Sequence, residues 1–156
     1  MSAGPRPSAD VRCLIDDVYS TYLWALDTQD IDLYVGTFWD DAVFEETQLD
    51  GTVETWEGAE KIRSFTAGHF GDYNGHQHRA SNLLYLPDPE GRPDTWLVRA
   101  YWFTSHREQG SGDVAFTSTG HSRDVLQGRD GEWRFAYRGI ERWPGTLRHP
   151  LRETQA

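Results

Sequence analysis

Cysteine is almost absent: a single thiol, Cys13, stands in 156 residues. One cysteine excludes an internal disulfide and a thiolate-rich zinc site, so nothing in the chain calls for an oxidising compartment. The spacing puts Cys13 on the apolar side of a helix, where a free thiol is expected to be buried and inert. Basic residues are also scarce, 15 Lys and Arg against 25 Asp and Glu, for a formal net charge of -10. So acidic a chain lacks the basic stripe that neutralises phosphates, and no nucleic-acid partner is expected. No apolar run approaches the roughly 20 residues of a membrane span. The opening Met1-Ser2-Ala3-Gly4-Pro5-Arg6-Pro7 lacks the apolar middle of a signal peptide. These absences predict no membrane partner and a cytoplasmic location. No Gly-x-Ser-x-Gly elbow is present to expose a serine nucleophile.

Aromatic residues, in contrast, are plentiful. Seven Trp, seven Tyr and seven Phe make up 13% of the chain, enough to line a ligand cavity or a subunit interface as well as to fill a core. Length fits one domain with a sizeable core. Residues 1–9 read as a disordered lead, 10–143 as the domain and 144–156 as a loose tail marked by Pro144, Gly145 and Pro150.

Within the domain, Ser8 or Asp10 can cap a helix in which Val11, Leu14, Ile15, Val18, Tyr22 and Ala25 follow the 3.6-residue period to about Leu26. Asp27 then falls at the C-terminal end, where the helix dipole disfavours a carboxylate, so it is expected to have a compensating partner or a task. Asp30 caps a short helix over 31–37. A strand follows at 39–46, and Asp50-Gly51 turns into a second at 52–56. Residues 59–70 return to helical spacing. Strands over 76–86, 95–106, 114–126 and 132–142 close the domain. The order predicts an α+β fold with about three helices on one face of a curved antiparallel sheet that encloses a hydrophobic cavity. Strands of 11 to 13 residues suit a bent sheet.

Gly75 to Tyr85 is the stretch richest in chemistry. Period-2 alternation puts His76, His78, Ala80, Asn82 and Leu84 on one face, mixing imidazoles, an amide and aliphatic groups as a pocket wall does. His-x-His on a strand can present two imidazoles to zinc or iron. The glutamate that usually follows such a pair is replaced by Arg79, Ala80, Ser81 and Asn82, so no metal is expected.

Three motifs carry a family likeness. They are Ala25-Leu26-Asp27-Thr28-Gln29-Asp30 leading to Phe38-Trp39-Asp40-Asp41-Ala42, then His78-Arg79-Ala80-Ser81-Asn82-Leu83, then Asp130-Gly131-Glu132-Trp133-Arg134-Phe135. In order and spacing, over roughly 10–143, the chain resembles the nuclear transport factor 2-like superfamily of cone-shaped α+β proteins, in its SnoaL-like branch. Within it the chain is similar to scytalone dehydratase and hexachlorocyclohexane dehydrochlorinase. That resemblance implies an aspartate and histidine pair, Asp27 and His78, removing a proton next to a leaving group, with His121 matching a further histidine of scytalone dehydratase. Two tyrosines of that enzyme are replaced by Leu26 and Glu46, which implies a different substrate. Relatives of this fold often pair or form trimers, so a homodimer or homotrimer is expected, with Trp96, Tyr101 and Phe103 available for the contact.

The chemistry needs few parts. A neutral imidazole suits general-base work near pH 7 when a carboxylate on its far nitrogen fixes the tautomer and steadies the imidazolium. Asp27 is therefore expected to orient His78 as the base, with His121 donating a proton to a leaving hydroxyl or a carbonyl oxygen. Trp24, Trp39, Trp56, Phe65 and Trp102 are expected to bind a hydrophobic cyclic or polyketide-like substrate, with Glu46 and Asn82 as polar contacts. No cofactor is expected. The activity expected is that of a lyase or isomerase of dehydratase or cyclase type; the alternative is a non-catalytic small-molecule-binding or assembly module on the same fold.

Overall fold

The computed structural model describes residues 5–72, 75–108 and 110–143, and of residues 71–72 the backbone alone. The tail expected at 144–156 and the first four residues of the lead lie outside the described residues. Three helices, α1 (Ala9–Thr28), α2 (Ile31–Gly36) and α3 (Ala59–Asp72), accompany six strands. The strands are β1 (Phe38–Thr47), β2 (Val53–Glu57), β3 (His76–Pro87), β4 (Thr95–Arg107), β5 (Val114–Arg129) and β6 (Glu132–Arg142). They form one sheet in the order β2-β1-β6-β5-β4-β3. Only the β1–β6 pairing is parallel; the others are antiparallel. The helices pack on the inner face of this curved sheet, and the expected α+β architecture is present.

Ser8 starts α1, its hydroxyl accepting a bond from the Val11 amide at 3.2 Å. The buried stripe of α1 is Ile15, Val18, Tyr19, Tyr22 and Ala25. Cys13 and Leu14 lie outside it and are exposed, against expectation. A residue two positions before Ile15 is rotated about 200° from it around the helix axis, which takes Cys13 off the packed face. At the other end Gln29 turns left-handed at φ 58°, and Asp30 caps α2 by accepting the Leu33 amide at 2.9 Å. The two helices therefore meet almost without a linker. They bring Tyr22 against Tyr34 and Phe135, with centroids 4.8 and 5.6 Å apart, and Phe38 completes this aromatic centre 5.4 Å from Phe135. Burying each such ring contributes about 1.5–3 kcal/mol.

Two irregularities decide which side chains face inward. In β3 the pairing with β4 shifts between Ser81 and Leu84, and Asn82 sits there at φ 55°. Asn tolerates the left-handed region better than other non-glycine residues, and the extra residue reverses the alternation. His76, His78 and Ala80 point inward before the bulge, whereas Leu83 and Tyr85 do so after it, leaving Asn82 and Leu84 exposed. In β6 the register with β5 shifts so that Phe135 pairs Leu126 and Tyr137 pairs Val125, leaving Ala136 as the extra residue. Phe135 and Arg138 are consequently both buried.

Candidate active site

Asp27, in the last turn of α1, meets His78, the third residue of β3. One carboxylate oxygen, Asp27 Oδ1, lies 2.7 Å from His78 Nδ1 and also accepts the His78 backbone N–H at 2.9 Å. Two donors on that oxygen compensate a carboxylate placed at the unfavourable end of a helix. An ionised carboxylate only accepts, so the bonding assigns the proton to Nδ1 and leaves the lone pair on Nε2. Both side chains are about four-fifths buried, 20% and 19% exposed.

His78 lines a cavity of about 260 Å3 between the helices and the inner face of the sheet. Leu26, Phe44, Phe65, Trp102 and Ile140 supply its apolar wall. Among its buried polar groups are Tyr34 and Arg138, each 2% exposed, with Tyr22 beside them. The Tyr34 hydroxyl donates to the Tyr22 hydroxyl at 3.2 Å. Burial, then the neighbouring Tyr22, pushes the Tyr34 hydroxyl well above the ordinary tyrosine range, so it remains a donor.

Arg138 is anchored from behind. Its Nη1 bonds Asp124 Oδ2 at 2.7 Å, and that oxygen also accepts from Ser122 Oγ at 2.7 Å and from the Tyr19 hydroxyl. The guanidinium carbon lies 4.2 Å from the Tyr22 ring centre. Burial works against the charge on Arg138, but the Asp124 carboxylate outweighs it and holds the guanidinium protonated more firmly than usual. Farther along, Glu46 and Arg142 pair at 2.8 Å within the same cavity wall.

Of the residues expected at the site, His78, Glu46, Phe65 and Trp102 line this cavity, and Asp27 stands behind His78. The others lie elsewhere. Trp24 is 70% exposed on the side of α1 opposite the buried stripe. Trp39 points away from the inward-facing Phe38; its indole donates to the Gln127 carbonyl at 3.0 Å between the Arg129 and Arg134 guanidinium groups. Trp56 packs behind the lining rings, 3.9 Å from Phe65 and 5.4 Å from Phe44 by centroids. Asn82 is consumed by the bulge. His121 is on the outer face, because Gly120 and Ser122 on either side of it face inward; its Nε2 lies 2.9 Å from Glu141 Oε2. What connects it to the cavity is its carbonyl, which accepts the Trp102 indole N–H at 3.1 Å.

Residues the sequence did not single out are Tyr22, Tyr34, His69, Arg138 and Arg142, all lining the cavity. One signal was available for Arg138: Asp124 stands directly across from it in the β5–β6 ladder, an opposite charge in the middle of an apolar pattern. His76 lines the cavity too, its ring stacked on His106 at 4.6 Å. Among the described residues no three His, Cys, Asp or Glu side chains gather as metal ligands, and no helix is long and apolar enough to cross a membrane.

Solved structures of similar architecture are numerous. A protein of unknown function with a cystatin-like fold from Nostoc punctiforme superposes with a TM-score of 0.73 at 22% identity, over 94% of this chain and 99% of that one. ActVI-ORFA from Streptomyces coelicolor gives 0.72 at 16% identity, over 85% and 97%. A candidate scytalone dehydratase from Novosphingobium aromaticivorans gives 0.66 at 20% identity, over 88% of each chain. At these identities the likeness is one of fold. No curated protein matches the chain. The SnoaL-like domain family matches residues 8–139, most of the chain's length, and the chain belongs to that family.

Proposed function

We propose that the protein is a cofactor-free isomerase or dehydratase that abstracts a proton next to a carbonyl of a hydrophobic cyclic, polyketide-like substrate. The observation that carries this reading is the 2.7 Å contact between Asp27 Oδ1 and His78 Nδ1 in the wall of a largely apolar cavity. His78 Nε2 takes the proton, and the carboxylate stabilises the resulting imidazolium. Negative charge then develops on the substrate oxygen. The Tyr22 hydroxyl, which accepts from Tyr34 and keeps its own proton to donate, and the Arg138 guanidinium, already fixed in place, favour that charge more than the neutral ground state. No group with redox or electron-sink properties is required by such a step.

His121 has no part in it, since its ring is on the other side of the sheet. The imidazolium of His78 is instead the acid at hand. It returns the proton to another carbon in an isomerisation, or passes it to a departing hydroxyl on the same face in a dehydration, so that one ring serves as base and then acid. The architecture shared with a candidate scytalone dehydratase accords with this chemistry. A dehydrating or cyclising role would take a homodimer or homotrimer no further, since every group invoked comes from one chain.

The test is deuterium uptake at the carbon next to the carbonyl of α-tetralone, followed by NMR. His78→Ala and Asp27→Asn should each slow it; unchanged uptake in both variants leaves a binding module on the same fold.

A further inference from the structure

The inner wall changes character along two neighbouring strands. On β1 the inward position after Phe44 is Glu46, and on β6 the inward position after Ile140 is Arg142; all four line the cavity. Glu46 and Arg142 pair at 2.8 Å with side chains only 14% and 32% exposed. Placing an ion pair in such a wall costs desolvation that the pair itself does not reliably return. Arg142 is also held by Gln48 Oε1, which accepts from Nε at 2.8 Å, and by Ser118 Oγ, which accepts from Nη1 at 3.1 Å. Three of its five N–H groups are so occupied, and two have no protein partner among the described residues. Glu46 gives Oε1 to Arg142 and keeps Oε2 without a protein partner among the described residues.

From this we infer that the Glu46–Arg142 pair is a receptor for a neutral hydroxyl and carbonyl on adjacent carbons. The carboxylate accepts from the hydroxyl and the guanidinium donates to the carbonyl. Position follows from the ladders: His78 is opposite Thr104, and Thr104 is opposite Ser118. Two strand spacings, about 10 Å, therefore separate His78 from the strand position that anchors Arg142. A fused-ring molecule gripped at the Arg142 end presents its far ring to His78. The substrate class is thus a hydroxylated fused-ring ketone, and the pair selects which ring carbon meets the base. A carboxylate-bearing ligand is disfavoured, because Glu46 repels it beside the cation. This assignment rests on the proton-abstraction reading for its catalytic meaning and on the pair alone for binding.

Binding is measured by quenching of tryptophan fluorescence, Trp102 being in the wall, with three probes: α-tetralone, its α-hydroxylated derivative and naphthoate. The unsubstituted protein should bind the hydroxylated ketone about tenfold more tightly than α-tetralone, as one charge-assisted hydrogen bond allows, and more tightly than naphthoate. Glu46→Gln and the double variant Glu46→Gln/Arg142→Met, checked for an unchanged circular dichroism spectrum, should bring the two ketones within about twofold. Equal binding of the two ketones by the unsubstituted protein, tightest binding of naphthoate, or a preference that persists in Glu46→Gln overturns the assignment. Should the double variant fail to fold, the probe comparison and the isosteric single variant still decide. His78→Ala keeps the preference while losing proton exchange. If that variant exchanges normally, the catalytic reading falls and the receptor stands.

Discussion

Replacing Asp27 with Asn perturbs the dyad at its best-defined point. A single oxygen of Asp27 receives both the ring Nδ1–H and the backbone N–H of His78, at 2.7 and 2.9 Å. An amide can turn its NH2 towards the ring only by withdrawing its oxygen from the backbone donor. Leaving that partly buried donor unpaired costs about 1–3 kcal/mol. The amide oxygen therefore stays where the carboxylate oxygen was, the tautomer is preserved, and only the charge is lost. A hydrogen bond to a charged group is worth about 1.5–3 kcal/mol, and each 1.36 kcal/mol on a barrier is about tenfold in rate. The expected loss in deuterium uptake by α-tetralone is about 10- to 150-fold, well short of the about 10⁴-fold that follows when the wrong tautomer is imposed. Asp27→Ala, which removes the one acceptor of both bonds, should be slower still and less stable by about 1–3 kcal/mol in urea titrations. A rate for Asp27→Asn within threefold of the unsubstituted protein, with an unchanged unfolding midpoint, refutes the charge argument; a loss near 10⁴-fold refutes the argument for a preserved tautomer.

Other consequences concern the buried ion pair, the sheet, the outer face and stability in acid. Arg138→Met strands Asp124 in the core without its cation and should cost about 3–5 kcal/mol of unfolding free energy in urea. Gly120→Ala would drive a Cβ into the Glu141 carbonyl and to 2.6 Å from the Trp102 ring, so a loss of about 1–3 kcal/mol should appear as a lowered Tm. His121→Ala should leave α-tetralone exchange unaltered; a tenfold loss would return His121 to the chemistry. Bonding to the Arg92 side chain holds the Asp88 carboxyl below the usual carboxylate range. A depressed native value stabilises the fold above the unfolded carboxylate range and ceases to do so as pH falls through the native value. Asp88→Asn should therefore cost about 1 kcal/mol at pH 7, a small figure because Arg92 is half exposed, and the gap to the unsubstituted protein should close in acid.

Much of the architecture could be read from local chemistry. Asp130-Gly131, at φ 51° and 84°, is the positive-φ pair that a tight hairpin demands, and it placed β5 against β6. A carboxylate at the wrong end of a helix pointed to Asp27 before any partner was visible, and the partner is His78. Inner and outer faces were less legible. Strict alternation assigns Asn82 inward and Arg138 opposite Phe135, and both assignments fail at the bulges, each caused by one extra residue that leaves no signature in hydrophobicity. Trp24, Trp39 and Trp56 show the complementary difficulty. A large ring is equally at home on the surface, against guanidinium groups or behind other rings, and only the packed fold distinguishes a lining residue from its support.

The bulge at Asn82 also divides β3 into two tracts that answer to different selection. Before it, His76 and His78 line the cavity; after it, Leu83 and Tyr85 pack against the core. A change at His76 or His78 would act chiefly on what is bound or transformed, and a change at Leu83 or Tyr85 chiefly on the melting temperature. Deleting Asn82 would remove the one extra residue, restore strict alternation and keep Leu83 and Tyr85 facing inward, whereas inserting one more residue there would turn them outward. A deep mutational scan read separately for abundance and for turnover should therefore show a boundary at this one asparagine, with ligand preference free to drift upstream of it and the foundation of the fold held constant downstream.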